Sequence, residues 1–207
     1  MQRLMPTLIV LLLAVFVGGC ATGRYSVPLP AANLQVRDDQ ALVVFMRPSN
    51  LGYSISSSVF DVTDNGERIL AIPGPNEKVG VYLTAGVHRF MVIAENADFV
   101  DATLLPGRVY YAVITPRMGM WKARFSLHPI KRQPSEPEFA VDGSDFLGWV
   151  RECASVESSA SVVTWGAENA ASVHAKRVED LPRWLAKPEQ ERRVFTLEPE
   201  DGLPAPL

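Results

Sequence analysis

The chain has little of what catalytic and metal centres are usually built from. Of its 207 residues, three are histidine and two are cysteine. His88, His128 and His174 stand far apart, and no zinc-ligand spacing links them to Cys20 or Cys153. Two thiols allow at most one internal disulfide. No glycine-rich phosphate loop, dinucleotide fingerprint or serine elbow occurs. Basic residues number 20 against 23 acidic, a net charge of −3 without any basic run, so the electrostatic footprint of a nucleic-acid binder is missing. Nor does any apolar run approach the roughly 20 residues that a membrane-spanning helix needs.

The one long apolar run, Leu8–Val17, follows Arg3 and leads into Val17-Gly18-Gly19-Cys20. A positive residue, a short apolar stretch and small residues in that order make a targeting segment. With the cysteine in place the stretch resembles the bacterial lipobox. That resemblance implies a lipoprotein signal peptide over residues 1–19, cleavage before Cys20, and Cys20 as the lipid-attachment residue, carrying palmitate-like chains on sulfur and amine. Two or more acyl chains hold a protein firmly where one binds reversibly. Ala21 follows, whereas an aspartate there resembles the inner-membrane retention signal of enteric bacteria. The expected location is therefore the outer membrane, facing the periplasm. Lipid on Cys20 leaves Cys153 without an internal partner.

Residues 20–40, with Gly23, Pro28 and Pro30, read as a flexible tether with a span of roughly 25 Å. Residues 41–130 read as a β domain. Ala41–Met46 is apolar on both faces. Ser58–Thr63 and Arg68–Ile72 flank Asp64-Asn65-Gly66, a strong hairpin signal. Val79–Leu83, His88–Ala94, Phe99–Leu104 and Val109–Ile114 follow. Last comes Trp121–Leu127, whose alternation with Lys122, Arg124 and Ser126 suits an edge strand with one wet face. One pattern occurs twice: Leu83-Thr84-Ala85-Gly86-Val87-His88 and Leu104-Leu105-Pro106-Gly107-Arg108-Val109. Gly86 and Gly107 stand 21 positions apart, a spacing that suits successive hairpins whose turns need φ > 0. The expected fold is mainly β: an antiparallel β-sandwich of about seven to eight strands with a C-terminal helical appendage, or else a barrel.

Phe45-Met46-Arg47-Pro48, Asn65-Gly66, and the two glycine motifs continuing through Tyr110-Tyr111 resemble a family of uncharacterised bacterial lipoproteins. Members pair a lipobox with a small transthyretin-like, or carboxypeptidase-regulatory-like, β-sandwich. The resemblance covers residues 41–130 and implies a fold and a location. It brings no catalytic residues and no cofactor.

Residues 131–143, with Pro134 and Pro137, read as a linker, and residues 144–187 as helical. Ser144 or Asp145 can cap a first helix with Phe146, Trp149, Val150 and Cys153 on one face. Thr164 can cap a second from Trp165 towards Glu179, with Ala167, Ala171, His174, Val178 and Leu181 as its stripe. Pro182 predicts a kink or a fresh start there. The apolar side chains of these helices predict packing against the β domain rather than exposure. Residues 188–207 read as a loose tail.

Among chemistry-bearing side chains, Ser56-Ser57-Ser58 and Ser158-Ser159 lack an adjacent base. Asp61, Asp64, Asp98 and Asp101 suit turns, and Cys153 suits a core position. The function class this favours is a non-catalytic envelope lipoprotein, not an enzyme, held to the membrane by lipid and working on another envelope protein. The alternative is a module binding glycan, peptidoglycan or lipid through Trp121, Tyr53 or a groove beside the helices.

Overall fold

Ala41–Met46 is apolar at every position because both of its faces are covered, by a facing sheet on one side and a helix on the other. The computed structural model describes residues 24–30, 34–118 and 123–207. Among them are eleven strands: β1 Ser26–Pro28, β2 Gln40–Arg47, β3 Ser58–Asp61, β4 Arg68–Ala71, β5 Glu77–Thr84, β6 Gly86–Ile93, β7 Ala97–Leu104, β8 Val109–Met118, β9 Ala123–Pro129, β10 Ala154–Ser158 and β11 Thr196–Leu197. Three α-helices join them: α1 Ser144–Glu152, α2 Ser161–Leu185 and α3 Glu189–Val194. The eight strands expected from the pattern are β2 to β9. The other three come from segments read as tether, helix and tail.

The strands form a six-stranded sheet in the order β1-β10-β5-β2-β8-β9 and a five-stranded sheet in the order β11-β7-β6-β3-β4. Both sheets are mixed, which corrects the antiparallel expectation: β2–β8, β10–β5 and β11–β7 are parallel pairs. The glycine motif explains the first of these. Asn65-Gly66 does close a hairpin, between β3 and β4. Gly86 and Gly107 do not, because β5 and β8 belong to the first sheet while β6 and β7 belong to the second. Each copy of the motif is a corner at which the chain changes sheets. Gly107 N–H donates to Gln40 O at 3.0 Å, so β8 starts beside the start of β2 and runs the same way. Gly86 has φ +129° and Gly107 φ +68°, and a Cβ on either would meet open space. Backbone conformation is the requirement at both corners, as expected, and not room.

Between the sheets lie Val43, Phe45, Phe90, Val92, Tyr110, Ala112, Phe125, Leu127 and Leu197, all fully buried. Phe45 and Phe90 meet edge to face at 5.2 Å across the gap. On the outer face of the first sheet, Leu42, Val44, Met46 and Tyr111 pack against Phe146, Val150 and Cys153 of the α1 region. On that of the second, Phe60, Met91 and Phe99 pack against Val173 and Trp184 of α2. The helices therefore cover the sheets, as the apolar content of residues 144–187 predicts.

Several sequence boundaries need correction. Ser26–Pro28 is bound to β10, and Leu34 and Val36 pack on the first sheet, so much of the tether is part of the fold. Phe139 is buried and Lys131 bridges to Ala140, so the linker is held too. The segment read as purely helical contains β10. The tail forms α3 and β11, and Leu197 enters the core because its strand adds to β7. The α1 face is as expected, but Gly143 rather than Ser144 or Asp145 stands at its N-cap. In α2 most of the expected stripe faces water: Ala167, Ala171 and His174 are exposed and Val178 is 55% exposed, whereas Leu181 packs on the second sheet. The buried face is Val162, Val173, Arg177 and Trp184. Arg177 disguises it, being buried against Glu67. The helix begins at Ser161, before Thr164, and runs through Pro182. Only one turn follows the proline, and the buried Trp184 in that turn outweighs the lost hydrogen bond.

Candidate functional site

Cys20 and the signal peptide lie outside the described residues, as does Trp121. The first described residue is Arg24, and from there the chain is fixed at once. Tyr25 O accepts from Ser159 N–H at 2.9 Å, Ser26 Oγ donates to Glu77 Oε2 at 2.5 Å, and Leu29 N–H donates to Ser155 O at 3.0 Å.

Beside this entry point, at the end of the sheets where β2 stops, Arg24, Tyr25, Arg47, Tyr53, Ile55 and Pro73 line a cleft of about 260 Å³. Arg47 is 1% exposed. Its guanidinium donates to Ile55 O at 2.9 Å, Leu51 O at 3.1 Å and Gly52 O at 2.6 Å, and lies 4.5 Å above the Phe125 ring. Burial lowers its pKa to about 10, against the opposing pull of Glu77. With both terminal nitrogens on backbone carbonyls of the 48–57 loop, Arg47 shapes that loop and leaves the outer wall of the cleft to Tyr53, which is 79% exposed. Among the described residues Tyr53 is the one aromatic of that exposure, so no platform of exposed rings surrounds it.

At the opposite end, around the Gly86 corner, Asp61 and His88 form a buried pair. His88 Nδ1 lies 3.0 Å from Asp61 Oδ2 and Nε2 lies 2.9 Å from Thr84 O. Both ring nitrogens face acceptors, and the bond to Asp61 raises the His88 pKa despite burial. For Asp61, burial pushes upward, but bonds from His88, Thr63 and Arg68 hold its carboxyl well below the usual range. The neighbouring depression of about 440 Å³ is lined by these groups. Because Nε2 points at a backbone carbonyl rather than a hydroxyl, the pair resembles a catalytic dyad in composition only. It clasps β3, β4 and β6 to the corner.

The remaining candidates are placed as follows. His128 stacks on Phe139 at 4.2 Å, and burial lowers its pKa to about 4. His174 bonds Glu67 on the surface at 3.0 Å. Burial pushes the Cys153 thiol up to about 12, a value suited to a core residue and not to a reactive one. Ser57 Oγ donates to Pro73 O at 2.9 Å. Ser158 Oγ donates to Leu70 O at 3.4 Å. Asp98 accepts from Leu127 N–H at 3.1 Å, and Asp101 pairs with Arg89 at 2.5 Å. Among the described residues no three His, Cys, Asp or Glu side chains converge as a metal site would need.

Sequence reasoning missed three buried cations with one common task. Arg47 binds the carbonyls of the 48–57 loop, Lys78 donates to Val150 O at the end of α1, and Lys131 donates to Arg193 O and Thr196 O at the end of α3. Arg47 closes an apolar strand, and that interruption was an available signal; Lys78, beside Glu77 in β5, and Lys131, just past β9, offered none. A scan against protein-family models and a search of curated proteins match nothing to this chain.

Proposed function

We propose that this protein is a lipid-anchored lipoprotein of the bacterial envelope, placed on the outer membrane facing the periplasm, and that it works without catalysis by holding another envelope protein. The observation that carries the reading is the order Arg3, Leu8–Val17, Gly18-Gly19-Cys20. The likeness to lipobox lipoproteins with a small transthyretin-like sandwich supports the location and a two-sheet core, though not an all-antiparallel one. The chemistry of the described residues supports the non-catalytic half: His88, Ser57 and Ser158 are bonded to backbone carbonyls, and Cys153 and Ser58 are packed in the interior. A glycan or peptidoglycan module is less favoured, because among the described residues, which do not include Trp121, Tyr53 stands without a second ring of its exposure.

Labelling with radioactive palmitate tests the anchor. The wild-type chain takes up label, and Cys20→Ser does not; label on the Cys20→Ser protein would refute the anchor. Crosslinking in intact cells tests the partner, with reproducible adducts to one envelope protein as the expected result.

A further inference from the structure

We propose that the end of the fold carrying Arg47 lies against the surface of a phospholipid bilayer, with Arg24, Arg117 and Arg124 on headgroup phosphates and Leu51 and Tyr53 in the interface. The proposal rests on the anchor reading and adds an orientation to it.

Reach is the first argument. Cys20 precedes Arg24 by four positions, and four extended residues span at most about 14 Å. Tyr25 and Ser26 are hydrogen-bonded into the fold, so no longer spacer intervenes. A bilayer holding acyl chains on Cys20 therefore comes within that distance of Arg24. A tether free through residue 40 would have left every orientation open.

Continuity is the second. Arg24 and Tyr25 share one cleft with Tyr53 and Ile55. The same loop reaches β9, since a Cβ on Gly52 would stand 3.5 Å from the Phe125 ring. Beside Phe125, Arg124 pairs in register with Arg117. Met46 is paired with Val113, so β8 carries Arg117 about 10 Å beyond the level of Arg47. The arginines and the 51–53 loop thus lie on one end of the sheets, with Arg117 beyond the level of Arg47.

Chemistry is the third. Arg24, Arg117 and Arg124 are exposed, as are Leu51 and Tyr53. The acidic side chains of this end are Glu77, which is buried and accepts from Ser26, Asp98, which feels the charge of Arg117, and the exposed Glu95 and Glu152. The other end exposes Asp38, Asp39 and Asp64, with Arg37 and Arg68 among them. Basic side chains strengthen attachment to an anionic membrane about fivefold each, and tyrosine settles at headgroup depth.

The test uses the full-length lipoprotein purified from membranes, with its acyl mass verified, in vesicles of phosphatidylcholine and phosphatidylglycerol. Tyr53→Cys and Val87→Cys each receive a fluorophore. Val87 is exposed beside the Gly86 corner at the far end of the strands, and the buried Cys153 stays unlabelled. Brominated lipids should quench the label at position 53 several-fold more than the label at 87. Introducing Arg24→Glu, Arg117→Glu and Arg124→Glu together should lower quenching at 53. Equal quenching at both positions, or unchanged quenching in the triple variant, would overturn the orientation while leaving the anchor intact. A protein without acyl mass would overturn both.

Discussion

His88 and Asp61 meet at 3.0 Å in a site where both side chains are nearly closed to water, and the second imidazole nitrogen is held by Thr84 O. The pKa of His88 is raised above its ordinary 6.5, so the stability it adds is complete below that pH and fades as pH rises through the raised value. Asp61 is depressed from 3.8, so its share is complete above that pH and fades as pH falls through the lowered value. The clasp is strongest between those limits. His88→Gln should cost about 1–3 kcal/mol at pH 5.5 and less at pH 8.5, as read from urea unfolding. An equal loss at both pH values would show that His88 acts by packing alone.

His128 has the opposite sign. Burial beside Phe139 lowers its pKa from 6.5 to about 4, so protonation favours the unfolded chain and stability falls as pH drops through that interval. His128→Phe should remove an acid-side loss of the order of 2 kcal/mol and flatten the profile between pH 6.5 and 4. A variant with the wild-type slope would place the titrating group elsewhere.

Gly202 lies against Tyr110, where a Cβ would stand 2.8 Å from the phenol ring. The ring is fully buried, and its hydroxyl accepts from Leu105 N–H at 2.9 Å, so it has nowhere to retreat. Gly202→Ala should destabilise by about 1–3 kcal/mol and speed proteolysis after residue 197. Gly66→Ala, where no atom lies within 4 Å, is the control expected to change the melting temperature little.

The two faces of α2 can be told apart by truncation. Val173→Ala empties a buried contact with Phe99 and its neighbours and should cost about 1–3 kcal/mol, while the exposed Val178→Ala should stay within about 0.5 kcal/mol. Reversed costs in thermal unfolding would restore the stripe of Ala167, His174 and Val178.

Much of the β architecture was legible because strand alternation and turn residues are local signals. Ala41–Met46, Asn65-Gly66 and the φ > 0 glycines each announce themselves within a few positions. What was illegible depends on pairing between distant segments. Nothing near Gly86 tells whether the next strand returns beside the last or crosses to a facing sheet, since either route needs the same reversal. Ser26–Pro28 and Thr196–Leu197 are too short to read as strands without the partners that complete them, Ser158 and Asp101 among others. Arg177 and Arg47 hid buried faces because a charge reads as solvent-facing until its partner is known. The cleft residues were named singly, and only the fold gathers them.

The pairing of Ser26 with Ser158, and the place of Leu197 in the central core, set the order in which the protein can mature. A polypeptide emerging from its N-terminus has β2 to β9 in hand long before it has the strand that receives its own beginning. Until residues 154–158 arrive the first segment has no ladder to join, and until residue 197 arrives β7 remains an edge strand. Late, long-range closure of this kind slows folding, because loop-closure entropy must be met before the distant contacts form.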